Sequence, residues 1–306
     1  MNQRIGVIDI GTNTLLLLIA EQGADSSIVA IVDECRFGRL GKGLDASGEL
    51  AVGSMADSLA ICHEYRALLD HYEVEIPTVI ATQAMREARN AQEFVGPAQA
   101  ILRAPLQVIA GDREAALAAA SVRGGLPQLQ GQRYIVVDVG GGSTEFIVTD
   151  GSNIELAVSV PVGAVRMTER FLKSDPPLQA EVAALDTFLA TALGALHLPQ
   201  GLAMIGTAGT ATTLAAIHLQ LSTYSADRVT GVTFTPAQLE NICQRISSAS
   251  VSERKTWPGM VAQRADVIAG GTAILQAAVK AAQATAFTVC DRGIRWGMAT
   301  ELLAGN

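Results

Sequence analysis

One motif occurs twice in this chain. Gly6–Thr14 reads GVIDIGTNT and Val136–Thr144 reads VVDVGGGST. Both run apolar, Asp, apolar, Gly, two further residues, then Ser or Thr. The order downstream is also shared. In the first half, candidate strands Ile5–Ile10, Leu15–Ala20 and Ile28–Asp33 are separated by short polar turns. In the second half, Ile135–Val139, Glu145–Thr149 and Ile154–Val160 repeat that order. Each run is short, β-branched and bounded by Gly, Asp, Asn or Ser, as buried strands are. Duplication of one β-β-β-α-β-α unit explains both copies.

Helices follow each set of strands. Leu50–Tyr72 carries Met55, Leu59, Cys62, Leu68 and Leu69 at helical spacing. A strand at Pro77–Thr82, a helix over Met85–Arg103 with Asn90 as an interruption, a strand at Leu106–Ala110 and a helix over Gly111–Arg123 complete the first half. In the second, helices are expected over Pro161–Leu172, Leu178–Leu196, a turn-to-helix segment ending at His218, Pro236–Ser247 and Val261–Gln283. Short strands are expected at Ala203–Ile205 and Ala286–Cys290, with Tyr224–Thr235 and Ser250–Gly259 irregular. Strands alternating with helices imply crossover connections, hence an α/β class. The expected domains are 1–123 and 124–292, with a terminal helix over about 293–306 that packs back on the first.

Composition narrows function. The 306 residues carry a net charge of -8, which argues against nucleic acid as a partner because phosphate backbones select basic faces. Cys35, Cys62, Cys243 and Cys290 lie in no CxxC or metal spacing and read as isolated thiols of a reducing compartment. The N-terminus lacks a signal-peptide pattern, and Leu15–Ile19 is too short to span a membrane. A cytoplasmic protein with no membrane partner is expected. His63, His71, His197 and His218 form no constellation, so a Ser/His/Asp triad has no support.

The chemistry points to phosphate. Gly140, Gly141 and Gly142 can aim successive amides at an anion, with Ser143 and Thr144 adding hydroxyls. Gly11, Thr12, Asn13 and Thr14 form the matching turn. Gly206, Thr207, Gly209 and Thr210 form a third, at a helix start where backbone dipoles favour anions. Asp9, Asp138 and Glu145 are hard oxygen ligands suited to Mg²⁺ carried by phosphates; turn closure is their plainer role. Ligands of parallel α/β sheets bind at the carboxyl ends of strands, where these turns fall. Arg86, after the Pro77–Thr82 strand, is either a surface arginine or a bidentate phosphate clamp. Arg166 and Arg295 occupy comparable positions with weaker claims. Glu114, in a first helical turn, is either a dipole-compensating acid or a general base. The segment Arg36–Leu50, with Arg36, Arg39 and Lys42, reads as a solvated loop or a basic loop over a site.

These residues resemble the exopolyphosphatase/guanosine pentaphosphate phosphatase family of the actin-like ATPase and sugar-kinase superfamily. The matching stretches are DIGTNT, RLGKGLDASGEL, ATQAMREARN, IAGDREA, VVDVGGGSTE, VGAVRMTE, IGTAGTATTLA, RADVIAGGTAIL and GIRWG, in family order over nearly the whole chain. The resemblance implies duplicated actin-like (ribonuclease H-like) domains with an interdomain cleft. It implies Mg²⁺-dependent release of terminal phosphate from inorganic polyphosphate or of the 5′ γ-phosphate from guanosine pentaphosphate. Glu114 would be the catalytic base, Arg86 the phosphate clamp, and Asp138 and Glu145 metal-linked acids. A homodimer is also among its expectations. Longer members carry a further all-helical C-terminal region, so the short two-domain form is expected here. Trp296 stands where an acid is frequent, and Thr replaces Ser in DIGTNT. The rivals are a phosphotransferase of the same superfamily and a guanosine polyphosphate sensor without turnover.

Overall fold

The computed structural model of the protein describes residues 4–24 and 27–304. It divides into two units, Met1–Ser121 with Ile294–Asn306, and Val122–Gly293.

In the first unit the leading apolar run forms β1 (Arg4–Ile10), which turns at residues 11–14 into antiparallel β2 (Leu15–Gln22). Antiparallel β3 (Ile28–Arg36) lies outside β2. The turn expected over Gly23–Ser27 includes residues 25 and 26, outside the described ones. A one-turn helix, α1 (Leu44–Ser47), interrupts the basic loop, and α2 (Val52–His71) crosses over to β4 (Thr78–Ala81), parallel to β1. Short α3 (Gln83–Glu87) and α4 (Ala91–Leu102) lead to parallel β5 (Leu106–Val108) and α5 (Gly111–Gly125). The sheet order is β3-β2-β1-β4-β5.

The second unit repeats this plan. β6 (Tyr134–Val139), β7 (Thr144–Thr149) and β8 (Ile154–Val160) form the antiparallel ribbon. Helices α6 (Ala164–Phe171) and α7 (Gln179–Gly194) cross to β9 (Ala203–Thr207), parallel to β6. Then come α8 (Ala208–His218), α9 (Ala226–Val229), β10 (Thr233–Phe234), α10 (Pro236–Ser248), α11 (Val251–Arg254), α12 (Ile268–Ala281) and β11 (Phe287–Val289). The order β10-β11-β9-β6-β7-β8 is the first sheet's order with one strand added, so the duplication read from sequence holds in the pairing of strands. The last helix, α13 (Ile294–Ala304), belongs to the first unit. Each unit has its own core, around Ile8, Leu17, Tyr65 and Phe94 in one and around Val137, Phe146, Leu214 and Phe287 in the other.

The helix over Met85–Arg103 breaks at residues 88–90, where Asn90 was expected to interrupt it, while three other expectations differ. There the Asn90 amide pairs with Leu50, accepting from its N–H at 2.8 Å and donating to its carbonyl at 3.1 Å. Side-chain bonding of this kind competes with helix continuation. Tyr224–Thr235 is not irregular throughout: it contains α9 and β10, the latter paired with β11. The long helix over Val261–Gln283 begins only at Ile268, after a single 3-10 turn at Ala262–Arg264. The cause is Arg254, at the end of α11 inside the supposed loop. Its side chain is fully buried and donates to the carbonyls of Ala249 and Ala265, the latter at 2.7 Å. A buried guanidinium must be satisfied, and here it folds the chain on both sides around itself.

Candidate active site

The first unit gathers its candidates at the carboxyl edge of β1, β4 and β5. Gly11 N–H donates to the Thr14 carbonyl at 2.9 Å and closes the hairpin turn. The Thr12 and Asn13 carbonyls accept from Gly41 N–H at 2.7 Å and Arg39 N–H at 3.0 Å. The basic segment therefore braces the turn through its backbone. A Cβ on Gly41 would lie 2.0 Å from Thr12 Cγ2, so only glycine fits so close. Asp9, at the end of β1, is buried.

Arg86 projects from α3 and Glu114 from the first turn of α5. Arg86 Nη1 donates to Glu114 Oε2 at 2.9 Å and to the Ile109 carbonyl at 2.7 Å, while Nη2 donates to Gln83 Oε1 at 2.6 Å. Glu114 is buried. Burial raises its carboxyl above the ordinary range for glutamate, and the Arg86 guanidinium opposes that shift without cancelling it. A dipole-compensating acid would be solvated; this one is desolvated and held by an arginine. Arg86 was expected as either a surface arginine or a phosphate clamp, and the structure gives it protein partners in addition. Its fork is already half occupied by protein, leaving Nε–H and one Nη2–H for a ligand.

The second unit places its candidates on one cross-strand row. Asp138 of β6 faces Glu145 of β7, Glu145 faces Ser159 of β8, and Asp138 faces Thr207 of β9. Directly paired residues share a sheet face. Glu145 Oε1 accepts from Ser143 Oγ at 2.9 Å and Ser159 Oγ at 2.6 Å, which fixes the carboxylate's orientation. The equivalent row in the first unit is Ile80, Asp9, Leu16, Cys35. The two copies share a backbone plan, and the second carries the added carboxylate.

The Gly140–Thr144 turn repeats the first one. Gly140 N–H donates to the Ser143 carbonyl at 3.0 Å, so the first glycine's amide closes the turn and does not face an anion. Among the described residues no backbone carbonyl accepts from Gly141 or Gly142. The carbonyls behind are held by α6: Ala164 N–H donates to Gly140 and Val165 N–H to Gly141, each at 2.9 Å. Arg166 also donates its backbone N–H to Gly141, at 3.2 Å. Gly141 is the counterpart of Thr12, so the same carbonyl is braced in both repeats.

Two hydroxyls named as phosphate donors point inward instead. Thr144 Oγ1 donates to the Val162 carbonyl and Thr207 Oγ1 to the Arg292 carbonyl at 2.8 Å. Thr210 is buried against Gly271. At Gly209 a Cβ would fall 1.7 Å from Arg264 Nη1, so the guanidinium of Arg264 lies over this third turn. The preceding Ala208 has φ 62°, a left-handed conformation that costs a non-glycine residue about 1 kcal/mol or more.

Sequence reasoning missed Gln83, Ser159, Gly163 and Arg264 as parts of these arrangements. Gly163 had a readable signal, a glycine just before a helical run. Ser159 and Arg264 act through contacts distant in sequence, and Gln83 through Arg86 and Glu87 on its own short helix, where nothing in the sequence marks the amide as their link. Arg295 is no ligand candidate: it pairs with Asp33 at 2.7 Å, and Trp296 Nε1 donates to the same carboxylate at 3.2 Å, which explains Trp296 as an anchor of α13 on β3. Burial pushes the thiols of Cys62 and Cys243 up to about 12 and that of Cys290 to about 11, so none supplies a thiolate nucleophile near neutrality. Among the described residues no helix is long and apolar enough to cross a membrane.

Two copies of a β-hairpin sheet, each with an Asp-x-Gly turn at its carboxyl edge, define a duplicated actin-like fold. The model of the Ppx/GppA phosphatase family matches residues 18–305, and the chain belongs to that family and is a phosphatase. It is 33% identical to Exopolyphosphatase 2 of Mycobacterium tuberculosis over 98% of each chain. It is 28% identical to the guanosine-5'-triphosphate,3'-diphosphate pyrophosphatase of Vibrio vulnificus, over 97% of this chain and 59% of that protein. The crystal structure of the Aquifex aeolicus family member superposes with a TM-score of 0.84 at 30% identity, covering 99% of both chains.

Proposed function

We propose that this phosphatase hydrolyses the terminal phosphoric anhydride of inorganic polyphosphate, with Glu114 as the general base. The observation that carries the reading is the buried Glu114 carboxylate, raised by desolvation and steered by Arg86. A base is most effective when its pKa approaches the working pH, and burial moves a glutamate in that direction. Glu114 takes the proton of a water whose oxygen attacks the terminal phosphorus. The bridging P–O bond breaks, and the electron pair leaves with the shortened chain. The two remaining donors of Arg86 suit an equatorial phosphate oxygen. Polyphosphate is favoured over guanosine pentaphosphate because the relative matched end to end is named an exopolyphosphatase, while this chain spans 59% of the guanosine-specific one.

Asp138 and Glu145 suit Mg²⁺. They offer hard oxygens on adjacent strands, and among the described residues no cluster of three His, Cys, Asp or Glu exists to make a full protein cage. Mg²⁺ keeps several waters and takes substrate phosphates, so two carboxylates match it. When bound, it would neutralise charge that develops on the phosphoryl oxygens. The chain's own contribution is to orient Glu145 through Ser143 and Ser159.

The test compares kcat/KM for phosphate release from short polyphosphate, long polyphosphate and guanosine pentaphosphate with Mg²⁺, in the wild type and Glu114→Gln. Preference for guanosine pentaphosphate overturns the substrate assignment. Near-normal turnover by Glu114→Gln removes Glu114 from the mechanism. Formation of ATP when ADP is supplied, in place of free phosphate, identifies a transferase.

A further inference from the structure

Arg86 is held on the side away from Glu114 as well. The group that holds it there is Gln83, which no motif argument singled out. Gln83 opens α3, Arg86 lies three positions later and Glu87 four, so all three share one helix face. Gln83 Oε1 accepts from Arg86 Nη2 at 2.6 Å, and Gln83 Nε2 donates to Glu87 Oε1. Arginine has no acceptor and an ionised carboxylate has no donor, so the amide can stand only one way round. It is the side chain that can accept from one neighbour while donating to the other. On the opposite side, Arg86 Nη1 holds both the Ile109 carbonyl, just before α5, and the Glu114 carboxylate.

We propose that Gln83 is a positioning residue for hydrolysis: it locks the Arg86 fork so that Nη1 presents to Glu114, which orients the base. This rests on the reading of Glu114 as the base. Gln83 touches neither Glu114 nor substrate and acts through Arg86. Among the described residues Arg86 is the charged group that acts on Glu114; Asp112 and Arg113 precede it on α5, and Arg113 is bound bidentately by Glu301 of α13. Releasing Arg86 removes the partner that holds the Glu114 carboxyl down, so its titration moves to higher pH.

The variants are Gln83→Met, which keeps the shape without either hydrogen bond, and Gln83→Glu, whose carboxylate repels Glu87 and competes for Arg86. Gln83 is half-buried on a short surface helix, so both should unfold within a few degrees of the wild type. Phosphate release from polyphosphate is measured across pH, and Glu114 protonation is followed by difference infrared spectroscopy of the metal-free protein, with Glu114→Gln as the subtraction control. The expected result is a fall in kcat of about tenfold or more, since small misplacements of reacting groups are costly. The acid limb and the Glu114 carboxyl band should shift together to higher pH. In a Glu114→Gln background, Gln83→Met should add no further loss. An unshifted carboxyl titration, or an undiminished kcat, overturns the proposal. If Glu114→Gln itself turns over normally, the base assignment fails first, while the infrared shift still reports whether Gln83 governs the Arg86–Glu114 pair.

Discussion

Gly163 is the sharpest mechanical test of the second Asp-x-Gly turn. It precedes α6 in an extended conformation, φ -137° and ψ 161°, that any residue adopts. Replacement by alanine thus introduces no backbone strain of its own. The obstacle is contact: a Cβ would stand 2.4 Å from the Gly141 oxygen and 2.5 Å from the carbonyl carbons of Gly141 and Gly142. To reach even 3.0 Å, the turn must withdraw from α6 by about 0.6 Å. Its atoms are backbone, held by the Ala164 and Val165 amides, so no side chain can rotate away. Overpacking of this kind costs about 1–3 kcal/mol, and a unit of this size loses about 2–4 °C per kcal/mol. Displacing the Gly141 and Gly142 amides should also lower kcat by roughly tenfold to a hundredfold. Gly53→Ala is the control: Gly53 is exposed in the first turn of α2 with nothing within 4 Å of a new Cβ, and its replacement should leave Tm and kcat at wild-type level or slightly raise Tm. The assay is thermal unfolding beside phosphate release from polyphosphate. Gly163→Ala with wild-type Tm and kcat would show that α6 does not brace the turn.

Glu114→Gln should retain ligand binding by calorimetry while hydrolysis drops by about 10²–10⁴, the usual worth of a positioned base. The pH profile follows from the same residue. The Glu114 carboxyl is raised and must be ionised to act, so kcat/KM should fall on acidification through a limb above the ordinary glutamate range; Arg86→Ala should move that limb higher still. A limb at the usual glutamate value would refute this. Glu145→Gln should raise the Mg²⁺ concentration for half-maximal activity, and Ser159→Ala should do so more weakly, because Ser159 only orients the carboxylate. Unchanged Mg²⁺ dependence in Glu145→Gln would place the metal elsewhere.

Much of the fold was legible because the strands are short apolar runs punctuated by Gly, Asp and Asn, and because the phrase ending in Asp-x-Gly occurs twice. The strand order itself came only with the structure, where the second sheet repeats the first. What was illegible depended on residues far apart in sequence. Nothing in RADVIAGG reveals that Arg254 takes the Ala265 carbonyl and delays α12 to Ile268. Likewise Thr144 and Thr207 look like phosphate donors until the Val162 and Arg292 carbonyls are seen beside them. Glu114 and Arg86 were identifiable one at a time. Their ion pair was not, because 28 positions separate them.

The row Thr207, Asp138, Glu145, Ser159 has a consequence for folding. Two carboxylates directly opposed on neighbouring strands repel, and like charges in that position weaken a sheet. The first copy avoids this with Leu16 opposite Asp9. If Asp138 and Glu145 hold a divalent cation as proposed, its binding would stabilise the folded second unit, since any ligand bound only by the folded state stabilises it by mass action. On this reading the divergence of the repeats does more than add a ligand. It would make the stability of the second copy respond to Mg²⁺, which thermal unfolding with and without the ion tests.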